Sequence, residues 1–69
     1  MKVYSAAIER CLETSLFVGF VPGFPGAHSQ GATLDGLNQN LHEVISMLVE
    51  DGEPVLESEF IGVQNVAIA

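Results

Sequence analysis

The feature that most constrains this chain is one long amphipathic helix pattern in a short sequence. Thr33 stands where an N-cap hydroxyl can accept a free backbone N–H, and Asp35 complements the positive end of the helix dipole. Gly52 stands where a C′ glycine ends a helix, and Pro54 prevents its continuation. Between these signals the apolar residues recur along one stripe. They are Leu34, Leu37, Leu41, Val44, Ile45, Leu48 and Val49.

The rest of the chain has the composition and alternation of β-strands. Tyr4, Ala6 and Ile8 alternate onto one face, and residues 16–21 are rich in aromatic and β-branched side chains on both faces. That second pattern predicts a sheet with the helix on one face and room for a second subunit on the other. We predict strands at 2–12, 16–21, 27–30 and 59–69.

Two Pro-Gly pairs reverse the chain between the second and third predicted strands. In Pro22-Gly23 and Pro25-Gly26, proline presets φ at the second position of a type II turn and glycine accepts the positive φ at the third. The resulting order is β-β-β-α-β. It is typical of an α+β fold with an antiparallel-rich sheet and one helix packed on one face.

The size of the chain predicts one thin domain, residues 1–69, that associates with itself. A domain of 69 residues buries only about 60% of the surface that its unfolded chain exposes. The lone cysteine, Cys11, excludes an intrachain disulfide, and no spaced Cys/His set for zinc is present. We therefore expect a homo-oligomer, a dimer or a tetramer, without a cofactor.

The single thiol favours a reducing compartment, and the sequence predicts neither a signal peptide nor a membrane span. The longest apolar run, residues 16–21, is far short of the about 20 residues that a spanning helix needs. We therefore expect a cytoplasmic protein.

The charge of the chain is strongly negative, and this predicts its class of partner. Nine acidic residues stand against two basic ones, giving a formal net charge of −7, and no lysine or arginine follows Arg10. Nucleic-acid binding relies on basic side chains that replace counterions, so we expect no direct binding to DNA or RNA. The charge fits either a basic protein partner or a chain kept soluble by repulsion, and composition leaves both open.

Several residues invite a catalytic interpretation, but their placement argues against one. His28 and Ser29 are neighbours in a predicted strand, where side chains alternate between faces and do not pair as nucleophile and base. His42 lies on the polar stripe of the helix. Three acids, Glu9, Glu13 and Asp35, come from separate elements with no visible convergence on a metal ion. We therefore predict no catalytic residue, no metal ligand and no enzyme.

The chain resembles the HicB-like antitoxins over nearly its whole length. The most specific part is the stretch from Val21 to Leu34, with its Pro-Gly turns, a Gln-Gly pair and a threonine N-cap in fixed order. The other matching residues lie in the first two strands. They are Tyr4, Ala6, Ile8, Glu9 and the run Phe17-Val18-Gly19-Phe20.

The resemblance implies a partial RNase H-like fold without RNase H activity. It also implies self-association and neutralisation of a HicA-type toxin, a small basic ribonuclease that cleaves messenger RNA, by covering its RNA-facing surface. Many members continue into a DNA-binding domain that represses their own operon. Such a domain is missing from these 69 residues, so we do not expect autorepression by this chain.

The expected partner-binding surface combines a loop aromatic, polar residues of the third strand and the acids that crowd the end of the helix. Glu50 and Asp51 oppose the helix dipole, which is typical of a surface kept for a basic partner. Two other functions stay open: a stand-alone oligomeric regulatory or ligand-binding protein, and a metal-dependent nuclease. The predicted partner-binding residues are Phe24, His28, Gln30, Glu43, Glu50, Asp51 and Glu53.

Overall fold

The computed structural model describes residues 2–69 as a three-stranded antiparallel sheet followed by one helix, which confirms the α+β class. Met1, the first residue of the predicted domain, lies outside the described residues. The strands lie side by side in the order β1-β2-β3. The elements are β1 (Ala7–Arg10), β2 (Phe17–Phe20), β3 (His28–Gly31) and α1 (Leu34–Leu48).

A short turn joins β1 to β2. The Cys11 N–H donates to the Leu16 carbonyl at 2.8 Å, and the Ser15 N–H donates back to the Cys11 carbonyl at 2.7 Å. The turn closes the hairpin in a register that pairs Ile8 with Gly19. Because paired residues share a face, this register decides which side chains of β1 and β2 lie on each side of the sheet.

The two Pro-Gly turns form as predicted. Gly23 and Gly26 have φ values of 78° and 85°, the left-handed conformation that glycine adopts without a steric penalty. The Phe24 N–H donates to the Val21 carbonyl and the Ala27 N–H to the Phe24 carbonyl, each at 3.1 Å. These two turns return the chain so that β3 pairs antiparallel to β2.

The helix begins at its predicted cap but ends earlier than predicted. The Thr33 hydroxyl accepts a hydrogen bond from the Gly36 N–H at 3.0 Å. At the other end Val49 is the C-cap, and the Glu50 N–H donates to the Met47 carbonyl in a tightened last turn. Gly52 therefore lies in the turn after the helix rather than at its C′ position.

The core lies between α1 and the β2–β3 half of the sheet. Gly19 lets the helix approach, since a Cβ atom there would lie 3.1 to 3.2 Å from side-chain atoms of Leu41 and Leu37. Leu37 is completely buried, and Leu41 is nearly so. A second buried cluster of Val21, Phe24 and Ala27 closes the turn end of the domain. Because α1 packs on β2 and β3 only, β1 lies outside its footprint.

Two strand predictions need correction. The predicted strand 2–12 is paired only at Ala7–Arg10, and the predicted final strand 59–69 does not form. Alternating apolar residues specify a strand only where an edge is available to pair with them. Residues 59–69 are exposed, and no strand within residues 2–69 pairs with them. The fold of the single chain is therefore β-β-β-α. Within residues 2–69, no helix is long and apolar enough to cross a membrane.

Candidate partner-binding surface

The face of the sheet turned away from α1 is open. Gly19 faces the helix, so its neighbours in β2, Val18 and Phe20, face the other way. The register places His28 beside Phe20 and Gln30 beside Val18. We call these four residues the open sheet face. They line a shallow depression of about 490 Å³, in which the Phe20 ring is 42% exposed.

The polar side of this surface is held in place by the helix behind it. His28 and Gln30, two of the residues predicted to bind a partner, are exposed. The Asn40 side-chain amide donates to the Gln30 carbonyl at 2.8 Å and ties β3 to α1. The Gln30 side chain thus projects from a fixed backbone, and fixed contact residues lose little entropy when a partner binds.

Phe24 was predicted to be an exposed anchor, and this prediction is wrong. Only 8% of Phe24 is exposed, and its ring centroid lies 5.6 Å from that of Tyr4 in a tilted arrangement. The physical reason is a contact with a distant part of the chain. Tyr4 of the N-terminal segment packs against the cluster that Phe24 forms with Val21 and Ala27. Phe24 stabilises the turn and is not available to a partner.

The predicted acidic residues are exposed but belong to different parts of the surface. Glu50, Asp51 and Glu53 follow the end of α1, and we call them the acidic end. Glu43 projects from the helix itself. Glu53 lies 3.6 Å from the Lys2 ammonium, and both side chains are exposed, so this ion pair contributes little to stability.

The negative charge of the chain lies entirely on its surface. Every one of the nine acidic residues is exposed. Among residues 2–69, Lys2 with Glu53 is the only pair of opposite charges within 4.0 Å. The remaining side-chain cation, Arg10, lies over the Phe17 ring at 4.6 Å. The acids therefore act together as a nearly uncompensated negative field.

Five of the seven predicted residues form two areas instead of one patch, while Glu43 stands apart on α1 and Phe24 is buried. His28 and Gln30 belong to the open sheet face, and the acidic end belongs to the helix layer. His28, at the start of β3, lies towards the same end of the domain as the acidic end, because a Cβ atom on Gly26 would contact the Leu48 methyl groups at 3.7 Å. A partner large enough to wrap around that end could contact both areas.

The side chains considered for catalysis or metal binding do not come together in one site among residues 2–69. His28 and Ser29 occupy opposite faces of β3, as their pairing with Phe20 and Gly19 requires. Within residues 2–69, no three His, Cys, Asp or Glu side chains cluster closely enough to hold a metal ion. The pKa of the Cys11 thiol is lowered by a hydrogen bond with the Thr14 side chain and, to a lesser degree, by the backbone of Thr14 and Glu13.

A groove between the N-terminal segment and the side of α1 was not predicted. It has a volume of about 540 Å³, and Tyr4, Ala6, Leu41, Ile45 and Val49 supply its apolar lining. One feature of the sequence pointed to this groove. The apolar stripe of α1 is wider than the surface of β2 and β3 that the helix covers, so some of its apolar residues had to lie beside the sheet.

Comparison with known proteins finds similar small proteins in bacteria and an archaeon. The chain is 43% identical over 56 residues to a UPF0150 protein of Synechocystis sp., with 81% of each chain covered. It is 32% identical over 68 residues to a UPF0150 protein of Thermotoga maritima, covering 97% of this chain and 91% of that one.

A third relative, a UPF0150 protein of Archaeoglobus fulgidus, is 39% identical over 56 residues, with 81% of each chain covered. No family model matches the chain. No solved structure matches it either.

Proposed function

The chain belongs to the UPF0150 family of small proteins, and we propose that it is a HicB-like antitoxin of a type II toxin–antitoxin system. In this proposal it binds and neutralises, in the cytoplasm, a small basic HicA-type ribonuclease that cleaves messenger RNA. The observation that carries the proposal is the nearly uncompensated negative surface: nine exposed acids and one ion pair among residues 2–69.

The acidic end supports this function through complementary charge. Enzymes that bind RNA need basic surfaces to neutralise phosphates. Glu50 and Asp51 follow the C-terminus of α1, where the carbonyl groups add to the negative potential and the last turn contains no basic residue. A basic toxin is attracted to the acidic end, whereas the messenger RNA that the toxin cleaves is repelled from it.

The open sheet face supports the same function through apolar contact. Charged rims mainly set the rate and specificity of association, whereas buried aromatic anchors contribute most of the affinity. Phe20 is the exposed aromatic side chain of the sheet, and Val18, His28 and Gln30 surround it. We propose Phe20 as the anchor, in the role that the sequence had suggested for Phe24.

The test takes the product of any adjacent gene that encodes a small basic protein and mixes it with the chain at low and at moderate salt. The expected result is co-elution of the two proteins and loss of RNA cleavage as the chain is added. Absence of both effects would contradict the antitoxin function and favour a stand-alone regulatory protein. RNA cleavage by the chain alone with Mg²⁺ or Mn²⁺ would instead indicate a metal-dependent nuclease.

Matched variants separate the two contact areas. Glu50→Gln with Asp51→Asn should weaken toxin binding by about 2- to 30-fold at low salt, the sum of two exposed charge interactions. The control, Glu13→Gln with Asp35→Asn, removes the same charge at the opposite end. Phe20→Ser should weaken binding by at least about 10-fold, as expected for an anchor. Its control, Ile8→Ser, changes an exposed residue on the other face of the sheet.

A further inference from the structure

The last ten residues form an extended segment that the single chain does not use. Residues 60–69 contain no charged side chain and make no backbone hydrogen bond with the rest of the described chain. The large apolar side chains of this segment are exposed, with Ile61 at 84% and Val63 at 87%. Ile61, Val63, Val66 and Ile68 are β-branched residues of the kind that strands prefer. A segment of this composition is suited to pairing with a sheet edge.

The segment leaves the domain at a fixed point. The Glu57 N–H donates to the Gly23 carbonyl at 2.7 Å, and the Ser58 backbone packs against Gly23 so closely that no Cβ atom would fit there. Beyond this anchor the chain runs outwards. The molecule is 47 Å long and 19 Å thick, and its radius of gyration of 13.5 Å exceeds the about 11 Å expected of a compact chain of this length.

The domain also has a vacant place for a strand. β1 pairs with β2 along one edge, and its other edge has no partner strand among residues 2–69. The groove of about 540 Å³ begins at the N-terminal end of β1. Tyr4 and Ala6, which precede the strand, border it on one side, and the flank of α1 at Leu41, Ile45 and Val49 borders it on the other. A fourth strand here would extend the sheet beneath the uncovered flank of the helix.

We propose that residues 60–69 of one copy occupy this groove in a second copy, and that the exchange is reciprocal. Each segment then adds a fourth strand to the β1 edge of its partner. Ten extended residues span about 33 Å, enough to follow β1 (Ala7–Arg10) and the segment of residues 2–6 that precedes it. A second copy is the occupant because each chain carries both the vacant groove and the unpaired strand. Residues 60–69 carry no charge, so the inserted segment itself adds nothing to the repulsion between two acidic chains.

The exchange does not rest on the proposed antitoxin function, because it concerns a different side of the molecule. It accounts for the alternating apolar pattern of residues 59–69, which predicts a strand that the single chain lacks. It also supplies the domain with additional core. In the exchanged dimer the groove residues Ile45 and Val49, which are half-buried in the single chain, become covered by apolar side chains of the partner.

The first experiment measures the oligomeric state of the full chain and of one variant by sedimentation velocity. The variant carries Ile61→Ser, Val63→Ser, Val66→Ser and Ile68→Ser. These side chains are between 77% and 87% exposed in the single chain, so the variant should keep the helix and sheet, which circular dichroism verifies. The expected result is a dimeric full chain and a monomeric variant. A monomeric full chain, or a variant that remains dimeric, would overturn the proposal.

The second experiment fills the groove. Asn38→Trp with Ser46→Trp adds bulk at two exposed helix positions that line the groove and should give a monomer. The control Met47→Trp adds an aromatic ring to an exposed helix position outside the groove and should remain dimeric. Equal effects of the groove variant and the control would show that the groove is not the contact.

The third experiment mixes the two monomeric variants, because only an exchange predicts that they complement one another. The serine variant has an intact groove, and the groove-filled variant has an intact segment. The isotope-labelled serine variant is titrated with the unlabelled groove-filled variant, and the expected result is shifts in the amide signals of Leu41 and Ile45. No shift would indicate pairing between two segments, or insertion of a segment into its own groove, and either would overturn the exchange.

Discussion

At the start of α1, one hydroxyl group fixes where the helix begins. The Thr33 hydroxyl accepts the Gly36 N–H at 3.0 Å, which satisfies one of the free donors of the first turn. We predict that Thr33→Ala lowers the free energy of unfolding by about 1 kcal/mol. Urea denaturation checks this value. Thr33→Ser keeps the hydroxyl and should cost much less, so equal losses in the two variants would contradict the cap as the cause.

The thiol of Cys11 should ionise more readily than an ordinary cysteine. The hydrogen bond with the Thr14 side chain is the largest cause of its lowered pKa. We predict that the pH midpoint of iodoacetamide alkylation lies below that of a free thiol and that Thr14→Val raises it, whereas Thr14→Ser preserves it. An unchanged midpoint in Thr14→Val would exclude this hydroxyl as the cause.

The same pKa shift has a defined effect on stability. The folded pKa lies below the unfolded pKa, so the folded state is favoured by ionisation of the thiol. This contribution is complete above the unfolded pKa and is lost as the pH falls through the folded pKa. Because the hydrogen bonds lie in the exposed turn between β1 and β2, the contribution is small.

At the scale of elements, the close approach of β3 and α1 depends on Gly31. A Cβ atom at this position would lie 2.7 Å from the Leu37 backbone nitrogen and 3.0 Å from its Cα atom. The obstructing atoms belong to the helix backbone and cannot rotate away. We predict that Gly31→Ala lowers the free energy of unfolding by about 1–3 kcal/mol, the usual cost of overpacking. Thermal unfolding measures it, and Gly62→Ala, whose Cβ atom meets nothing within 4 Å, should be neutral.

The elements that the sequence predicts correctly are those with local signals. Pro22-Gly23 and Pro25-Gly26 set their own dihedral angles, and Thr33 caps the helix through a contact three residues away. These interactions do not depend on the rest of the fold. The end of α1 is less well defined, because Gly52 is compatible with several end points and the tightened turn at Val49 comes earlier.

The predictions that were wrong depend on contacts between distant parts of the chain and not on local signals. Whether Phe24 is buried depends on Tyr4, twenty positions earlier, which no local pattern reports. Whether residues 59–69 pair as a strand depends on which edges are free. Of the predicted surface, His28, Gln30 and the four acids are exposed. The register turns His28 and Gln30 to the face of the sheet opposite α1, whereas the acids lie on α1 or follow it.

At the scale of the whole molecule, the same charge acts in opposite directions on the two assemblies proposed for this chain. Two copies with a formal charge of −7 each repel one another, although the exchanged segment is uncharged. A basic toxin is attracted to the same chain. Added salt shortens the range of both interactions, with a Debye length of about 10 Å at 0.1 M. The homodimer and the toxin complex should therefore respond to salt with opposite signs.

We predict that raising NaCl from about 0.05 M to about 0.3 M tightens the homodimer and weakens the toxin complex, because screening removes repulsion from one and attraction from the other. Sedimentation measures the affinity of the homodimer, and binding of the chain to surface-immobilised toxin measures the affinity of the complex. Glu50→Gln with Asp51→Asn should reduce both salt dependences, since it removes two of the charges that produce them. If both affinities fell with salt, the dimer contact would be electrostatic, which an exchange of uncharged segments does not allow. If neither changed, the negative surface would serve solubility and not recognition.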